Sequence, residues 1–325
     1  MNDADLDVHM NDRDLARMLA VDAAAGLTAS PKWLPPKWFY DARGSVLFEE
    51  ITRLPEYYPT RAERAVLTAR ADEIAARTGA KTLIELGSGS SDKTRLLLDA
   101  LRAHGTLGTF VPLDVSESAL RESVAAITAD YPALQVRGVV GDFTRHLRFL
   151  PRGGTRMVAF LGGTIGNLLP APRARLLADL RDLLEPGEWL LLGADLVKDP
   201  AVLVPAYADA RGVTAEFNRN VLHVLNRQLR ADFDPAAFHH VARWDPVNEW
   251  IEMRLRADRA MTVKLPELDE TIEFDAGEEL LTEVSAKFRR DGLAAELAAA
   301  GFALRDWWTD PAGLFSLSLS RAAPR

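Results

Sequence analysis

Between Lys81 and Val197 the chain alternates short apolar runs with amphipathic stretches: KTLIELGSG, SSDKTRLLLDALRAH, TFVPLDV, SALRESVAAITADY, LQVRGVVGDF, TRMVAFLGG, RARLLADLRDLL and EWLLLGADLV. Strands this continuously apolar have no face to give to water, and each stretch between them is long enough to cross over as a helix. A parallel sheet covered on both faces satisfies both conditions. Five strands are predicted here. The C-terminal stretch adds a helix, a strand through Leu304 to Trp308, a turn at Asp310 to Gly313 and a strand with Leu/Ser alternation. An antiparallel pair closing an otherwise parallel sheet fits that ending.

The flanking regions follow other rules. LARMLAVDAAAGL predicts a first helix over about Asp14 to Gly26, and SPKWLPPKWFYD is broken by prolines. Before the next helix, Thr60 and Glu63 have the spacing of a capping box. Beyond Asp199 a helical stretch, AYADARGVTAEFNRNVLHVLNRQL, gives way to IEMRLRA, MTVKL and ETIEFDAG, which alternate as antiparallel strands do.

Composition removes several classes of function. The 325 residues carry 39 Lys and Arg against 47 Asp and Glu, a net charge of −8, so no basic face for nucleic acid is expected. No apolar run approaches the ~20 residues of a spanning helix, and the acidic start differs from a targeting peptide. A cytoplasmic monomer without membrane contact is expected. Cysteine is absent, which removes disulfides and thiolate chemistry. His9, His104, His146, His223, His239 and His240 show no metal-ligand spacing, so no metal is expected, and adjacent His239 and His240 read as a solvated pair.

The chemical signal lies at the strand ends. TLIELGSGSSDK ends a strand in Glu85 and opens through Gly87 and Gly89, where backbone can approach a ligand. The next strand ends in Asp114, placed to hold two ribose hydroxyls, and the following one in Gly141-Asp142-Phe143, a carboxylate for an adenine amino group beside a ring for the base face. Together these resemble the S-adenosylmethionine-dependent methyltransferases. The third glycine of a dinucleotide loop is replaced by Asp92, which disfavours a nicotinamide-dependent oxidoreductase, the alternative of a different class.

Longer motifs narrow the resemblance. PPKWFYDARGSVLFEEITRLPEYYPTRAE, ELGSGSSDKTRLLLDAL, FLGGTIGNL, LLGADLVKD with AYADARGVTAEFNRN, and GEELLTEVSAKF are similar to the actinobacterial L-histidine Nα-methyltransferase family of ergothioneine biosynthesis, over about Lys32 to Leu319. The resemblance implies a Rossmann-like doubly wound methyltransferase sheet over 63–198 and 286–325. It also implies a second α+β substrate domain, formed by the N-terminal segment 1–62 and an insertion at 199–285. It implies trimethylation of free L-histidine to hercynine with S-adenosylmethionine. Its cofactor residues fall on Gly87, Lys93, Asp114, Asp142 and Phe143. Its histidine-binding residues fall on Tyr57, Asn167, Tyr207, Glu283 and Ser285, with Tyr40, Gly162 and Met253 around them. Gly163 and Ser90 stand where serine and threonine are expected.

These residue types suit the reaction. Methyl transfer from a sulfonium needs a nitrogen lone pair held in line and water kept out, rather than a strong acid. The α-amine must first lose a proton, which desolvation favours, and Tyr40 or a water is expected to relay it, with Asn167 the other catalytic residue. Lys93, in the first turn after the glycine loop, would meet the cofactor carboxylate. Asn167 and Tyr207 offer neutral donors to the substrate carboxylate. Glu283 and Ser285, two apart, would share one strand face and hold the imidazole. A charge-assisted bond there is worth roughly 1.5–3 kcal/mol, or about 10- to 150-fold over amino acids without the ring nitrogen. Another free amino acid or small amine is the alternative acceptor.

Overall fold

The computed structural model describes residues 6–324, and the chain divides into two compact units. The first takes in the described residues to Met10, then Pro59–Val197, then Lys287 onward; the second is Asn11–Tyr58 with Lys198–Ala286.

The first unit is built on one large sheet. Its strands lie in the order Leu6–Val8, Gly138–Val140, Thr109–Asp114, Thr82–Leu86, Arg156–Phe160, Trp189–Asp195, Phe315–Ala322 and Phe302–Thr309, with Gln135–Val136 also paired to Thr109–Asp114. The first six run parallel, while Phe315–Ala322 is antiparallel to both its neighbours. Such a mixed sheet follows from the sequence: Leu83, Ile84, Val111, Leu113, Val158, Phe160 and Leu190–Leu192 are fully buried, so both faces need cover. Helices Pro59–Thr78, Arg95–Ala103, Glu117–Asp130, Pro170–Leu183 and Arg290–Ala299 belong to this unit.

Two features differ from expectation. LQVRGVVGDF makes two short strands, Gln135–Val136 and Gly138–Val140, on either side of Arg137, whose amide still reaches the Phe110 carbonyl and whose guanidinium donates to Asp7. Residues 6–10 join the first unit, although the N-terminal segment 1–62 was assigned whole to the other domain. Leu6–Val8 pairs in register with Gly138–Val140, an edge that would otherwise expose unpaired amides. Residues 1–5 of that assignment lie outside the described residues.

The second unit combines helices Asp12–Leu27, Ala42–Thr52 and Val213–Leu229 with two antiparallel sheets. Asn11 caps the first helix through the Arg13 and Asp14 amides, so it starts two residues earlier than predicted. Trp250–Ala257 is the central strand of one sheet, between Phe238–Asp245 and Glu279–Ala286; Met261–Leu265 pairs with Glu270–Phe274 in the other. The strand Phe238–Asp245 escaped the sequence reading, since FHHVARWD, half of it polar, gives no clean alternation.

Among the described residues no helix is long and apolar enough to cross a membrane, and no group of three or more His, Asp or Glu could hold a metal.

Candidate active site

In the first unit, the residues expected to hold the cofactor gather at the carboxyl ends of the central strands, where ligands bind in such sheets. Gly87 and Gly89 have φ of +66° and +50°, and nothing lies within 4 Å of where a side chain would begin at either, so the loop offers bare backbone to open space. Asp114 fixes this loop: one carboxylate oxygen accepts from the Gly89 amide at 2.9 Å and the other from Ser116 at 2.9 Å. The Val115 amide also bears on it, and since a carboxylate has about four acceptor positions, capacity remains for a hydroxyl. Burial raises the Asp114 pKa against the pull of these amides. Asp142 is buried and accepts from the Thr144 amide and hydroxyl, and Phe143 packs edge-on against Phe160 at 5.1 Å. The buried Ser88 hydroxyl has no partner among the described residues. Bare loop, oriented acids, half-buried ring and orphaned hydroxyl fit a nucleoside cofactor.

Two expectations here need correction. Lys93 lies in the turn ahead of the helix Arg95–Ala103, not in its first turn, and it is paired with Glu63. Glu63 makes no capping box: it lies inside the helix Pro59–Thr78, is fully buried, and accepts the Gly162 amide at 2.7 Å. Helix, glycine loop and the turn after the strand Arg156–Phe160 are thus tied through one carboxylate. Its neighbours in the sequence, Arg61, Ala62 and Arg64, carry no hint of this, because the partners lie 30 and 99 residues away. Gly162 and Gly163 take φ of +77° and +70°, so glycine at 163 relieves a backbone that serine would strain. Asn167 ends the 3-10 turn Thr164–Asn167 in this unit.

The remaining predicted residues fall in the second unit, and the structure brings them together. The Tyr207 hydroxyl is 2.8 Å from the Ser285 hydroxyl, and its ring meets Tyr57 edge-on at 6.3 Å. Tyr57 continues through Phe48 to Tyr40, which also meets Phe217. Tyr207 closes the 3-10 turn Pro205–Tyr207, and the expected long helix begins only at Val213. Glu283, on the strand Glu279–Ala286, pairs with Met253, and Ser285 with Ile251. Both side chains are at most 9% exposed.

His240 is not solvated: it lies 2.8 Å from the Asn218 amide nitrogen and 2.7 Å from the Tyr207 carbonyl. Burial lowers its pKa. Phe48, Phe217, Asn218 and Thr282 also went unread. Phe217 and Asn218 stand inside AEFNRN, a motif whose helical phase could have flagged them as inward-facing.

The strand order and the cradle at its carboxyl edge define an S-adenosylmethionine-dependent methyltransferase. The chain belongs to the histidine-specific, S-adenosylmethionine-dependent methyltransferase family, whose sequence profile matches residues 19–322. It is 59% identical over 305 residues to the histidine N-alpha-methyltransferase of Mycolicibacterium smegmatis, covering 94% of this chain and 95% of that protein. Identity to the Mycobacterium tuberculosis protein of the same name is 58% over 299 residues, 92% and 93% of the two chains. Ergothioneine biosynthesis protein 1 of Neurospora crassa is 36% identical over 202 residues, 60% of this chain and 23% of that one. The protein is an enzyme, an N-methyltransferase.

Proposed function

We propose that the enzyme trimethylates the α-amine of free L-histidine, giving hercynine for ergothioneine biosynthesis. One observation carries the choice of acceptor: an acid, Glu283, and a hydroxyl pair, Ser285 and Tyr207, buried on one strand and turn of the second unit. A buried carboxylate beside a hydroxyl matches an imidazole, which offers one N–H and one lone pair. The high identity to two histidine N-alpha-methyltransferases supports the same reading.

When bound, S-adenosylmethionine supplies an electrophilic methyl carbon on a positively charged sulfur. Gly87 and Gly89 present backbone to it, Asp114 takes the ribose hydroxyls, Asp142 and Phe143 the adenine, and Lys93 its carboxylate while held by Glu63. In the second unit, Glu283 and Ser285 hold the imidazole, Met253 and Tyr57 shape its surroundings, and Tyr207 donates to the carboxylate. Asn167 and Gly162 on the first unit are assigned to the amino acid portion as well. Tyr40, set among aromatic edges, relays the proton that the amine sheds. Desolvation lowers the amine pKa, so no strong base is required. We further read the enzyme as a cytoplasmic monomer acting on a small molecule, without nucleic acid or membrane; the charge of −8 supports the exclusion of nucleic acid.

The test is mass spectrometry of histidine incubated with enzyme and S-adenosylmethionine, counting methyl groups against time, beside steady-state kinetics of Glu283→Ala. Three successive additions to histidine are expected, none to tryptophan, and a histidine KM raised about 10- to 150-fold with the KM for S-adenosylmethionine little changed. Equal effects on both constants would remove Glu283 from acceptor recognition.

A further inference from the structure

Behind Glu283 and Ser285 runs a buried chain of hydrogen bonds within the second unit. Leu281 pairs with Arg254 and Glu283 with Met253, so two residues of one strand pass a single step of the other and Thr282 is the extra residue of a β-bulge. A bulge re-phases the strand: every side chain beyond it faces the side it would otherwise turn from. Which face Glu283 and Ser285 present therefore depends on Thr282 staying bulged.

What holds it there is explicit. The Thr282 hydroxyl is 2.6 Å from Asn218 Oδ1 and 2.9 Å from the Met253 carbonyl. The Asn218 amide nitrogen donates to the Arg254 carbonyl at 3.1 Å, on the strand opposite the bulge, and to His240 Nδ1 at 2.8 Å. His240 Nε2 lies 2.7 Å from the Tyr207 carbonyl, which only accepts, so Nε2 bears the proton and Nδ1 the lone pair. Thr282 and Asn218 are 1% and 0% exposed, so an unmet bond at either is not made good by water. The same three side chains thus tether the bulge before Glu283 and the turn carrying Tyr207, whose hydroxyl meets Ser285.

We propose that Thr282, Asn218 and His240 are positioning residues that set acceptor recognition, acting through Glu283, Ser285 and Tyr207 without touching the substrate. The inference rests on the reading of those three as acceptor-binding residues.

The experiment uses the full-length enzyme with Thr282→Val, Thr282→Ser, His240→Phe and His240→Gln, and Glu283→Gln as the control for the underlying reading. Valine keeps the volume of threonine and loses the hydroxyl; serine keeps the hydroxyl; glutamine offers one donor and one acceptor in place of the imidazole pair. Thr282→Val and His240→Phe are expected to raise the histidine KM about tenfold, the worth of one net hydrogen bond. The expected change in kcat and in the KM for S-adenosylmethionine is less than twofold, and Thr282→Ser and His240→Gln recover most of the loss. Equal losses in Thr282→Val and Thr282→Ser, or an unchanged histidine KM in Thr282→Val, overturn the proposal. Should His240→Phe prove insoluble, the near-isosteric threonine pair decides alone. An unchanged histidine KM in Glu283→Gln refutes the acceptor site itself; a raised one beside an unaffected Thr282→Val refutes only the tether.

Discussion

Glu85 is an acid placed where its charge is costly. Burial lifts its pKa from 4.5 to about 7, opposed by the hydroxyls of Thr94 and Ser91, both of which donate to it, and by nearby Lys93. A group whose folded pKa lies above its unfolded value lends stability that is complete below the unfolded pKa and lost as pH rises through the folded one. Stability is therefore expected to fall between about pH 4.5 and 7 by roughly 3 kcal/mol on account of Glu85. Glu85→Gln should flatten that part of a denaturant-unfolding profile against pH; an unchanged slope assigns it to other groups. His240 works in the opposite sense. Its lowered pKa means that the folded state resists protonation, so its contribution holds above about pH 6.5 and declines as acid is added. The residues first seen as chemical, Gly87, Asp114 and Asp142, were legible because they stand at strand ends, where local sequence marks the position. Glu63 and His240 were misread, as a cap and as a solvated ring, because neither has a local partner.

Among elements, the neighbouring parallel strands Arg156–Phe160 and Trp189–Asp195 are joined at their starts by a buried ion pair. The Arg156 guanidinium donates to both oxygens of Glu188, and also to the carbonyls of Pro151 and Leu183. Glu188→Ala would strand a guanidinium that is fully shielded, at a cost of about 3–5 kcal/mol, whereas the double replacement Arg156→Met with Glu188→Leu should cost less than the single one. Urea denaturation of these two variants beside the parent enzyme checks the order. Elsewhere the strand Trp189–Asp195 passes so close to the helix Pro59–Thr78 that a side chain begun at Gly193 would sit 2.2 Å from a Glu63 oxygen. Gly193→Ala is expected to push Glu63 from the Gly162 amide and Lys93, weakening S-adenosylhomocysteine binding at least tenfold by calorimetry while leaving the alternation of strands and helices intact in circular dichroism. The strands of the large sheet and its closing antiparallel pair were readable from continuous apolar runs and Leu/Ser alternation. The strand Phe238–Asp245 was not, since a half-polar strand looks like a loop until its partner is known.

At the scale of the molecule, two units each carry part of the assigned chemistry, and ligand linkage reports on them separately. A ligand that binds only the folded state adds about 2.7 kcal/mol at one hundred times its Kd, so S-adenosylhomocysteine should raise the melting temperature by several degrees. Asp114→Ala should abolish that shift and Glu283→Ala should preserve it, because Asp114 belongs to the first unit and Glu283 to the second. Loss of the shift in both would contradict the division of roles. The sequence by itself determined the succession of elements, the covered sheet and the loop of bare backbone, for those follow from periodicity and from the conformational freedom of particular residues over a few positions. Only the tertiary structure decided that Leu6–Val8 extends the core sheet, that Glu63 ties Lys93 to Gly162, and that a bulge at Thr282 turns Glu283 to its face. Each of these is a pairing of distant polar groups withdrawn from water, and the choice of partner depends on which surfaces meet once the chain has packed.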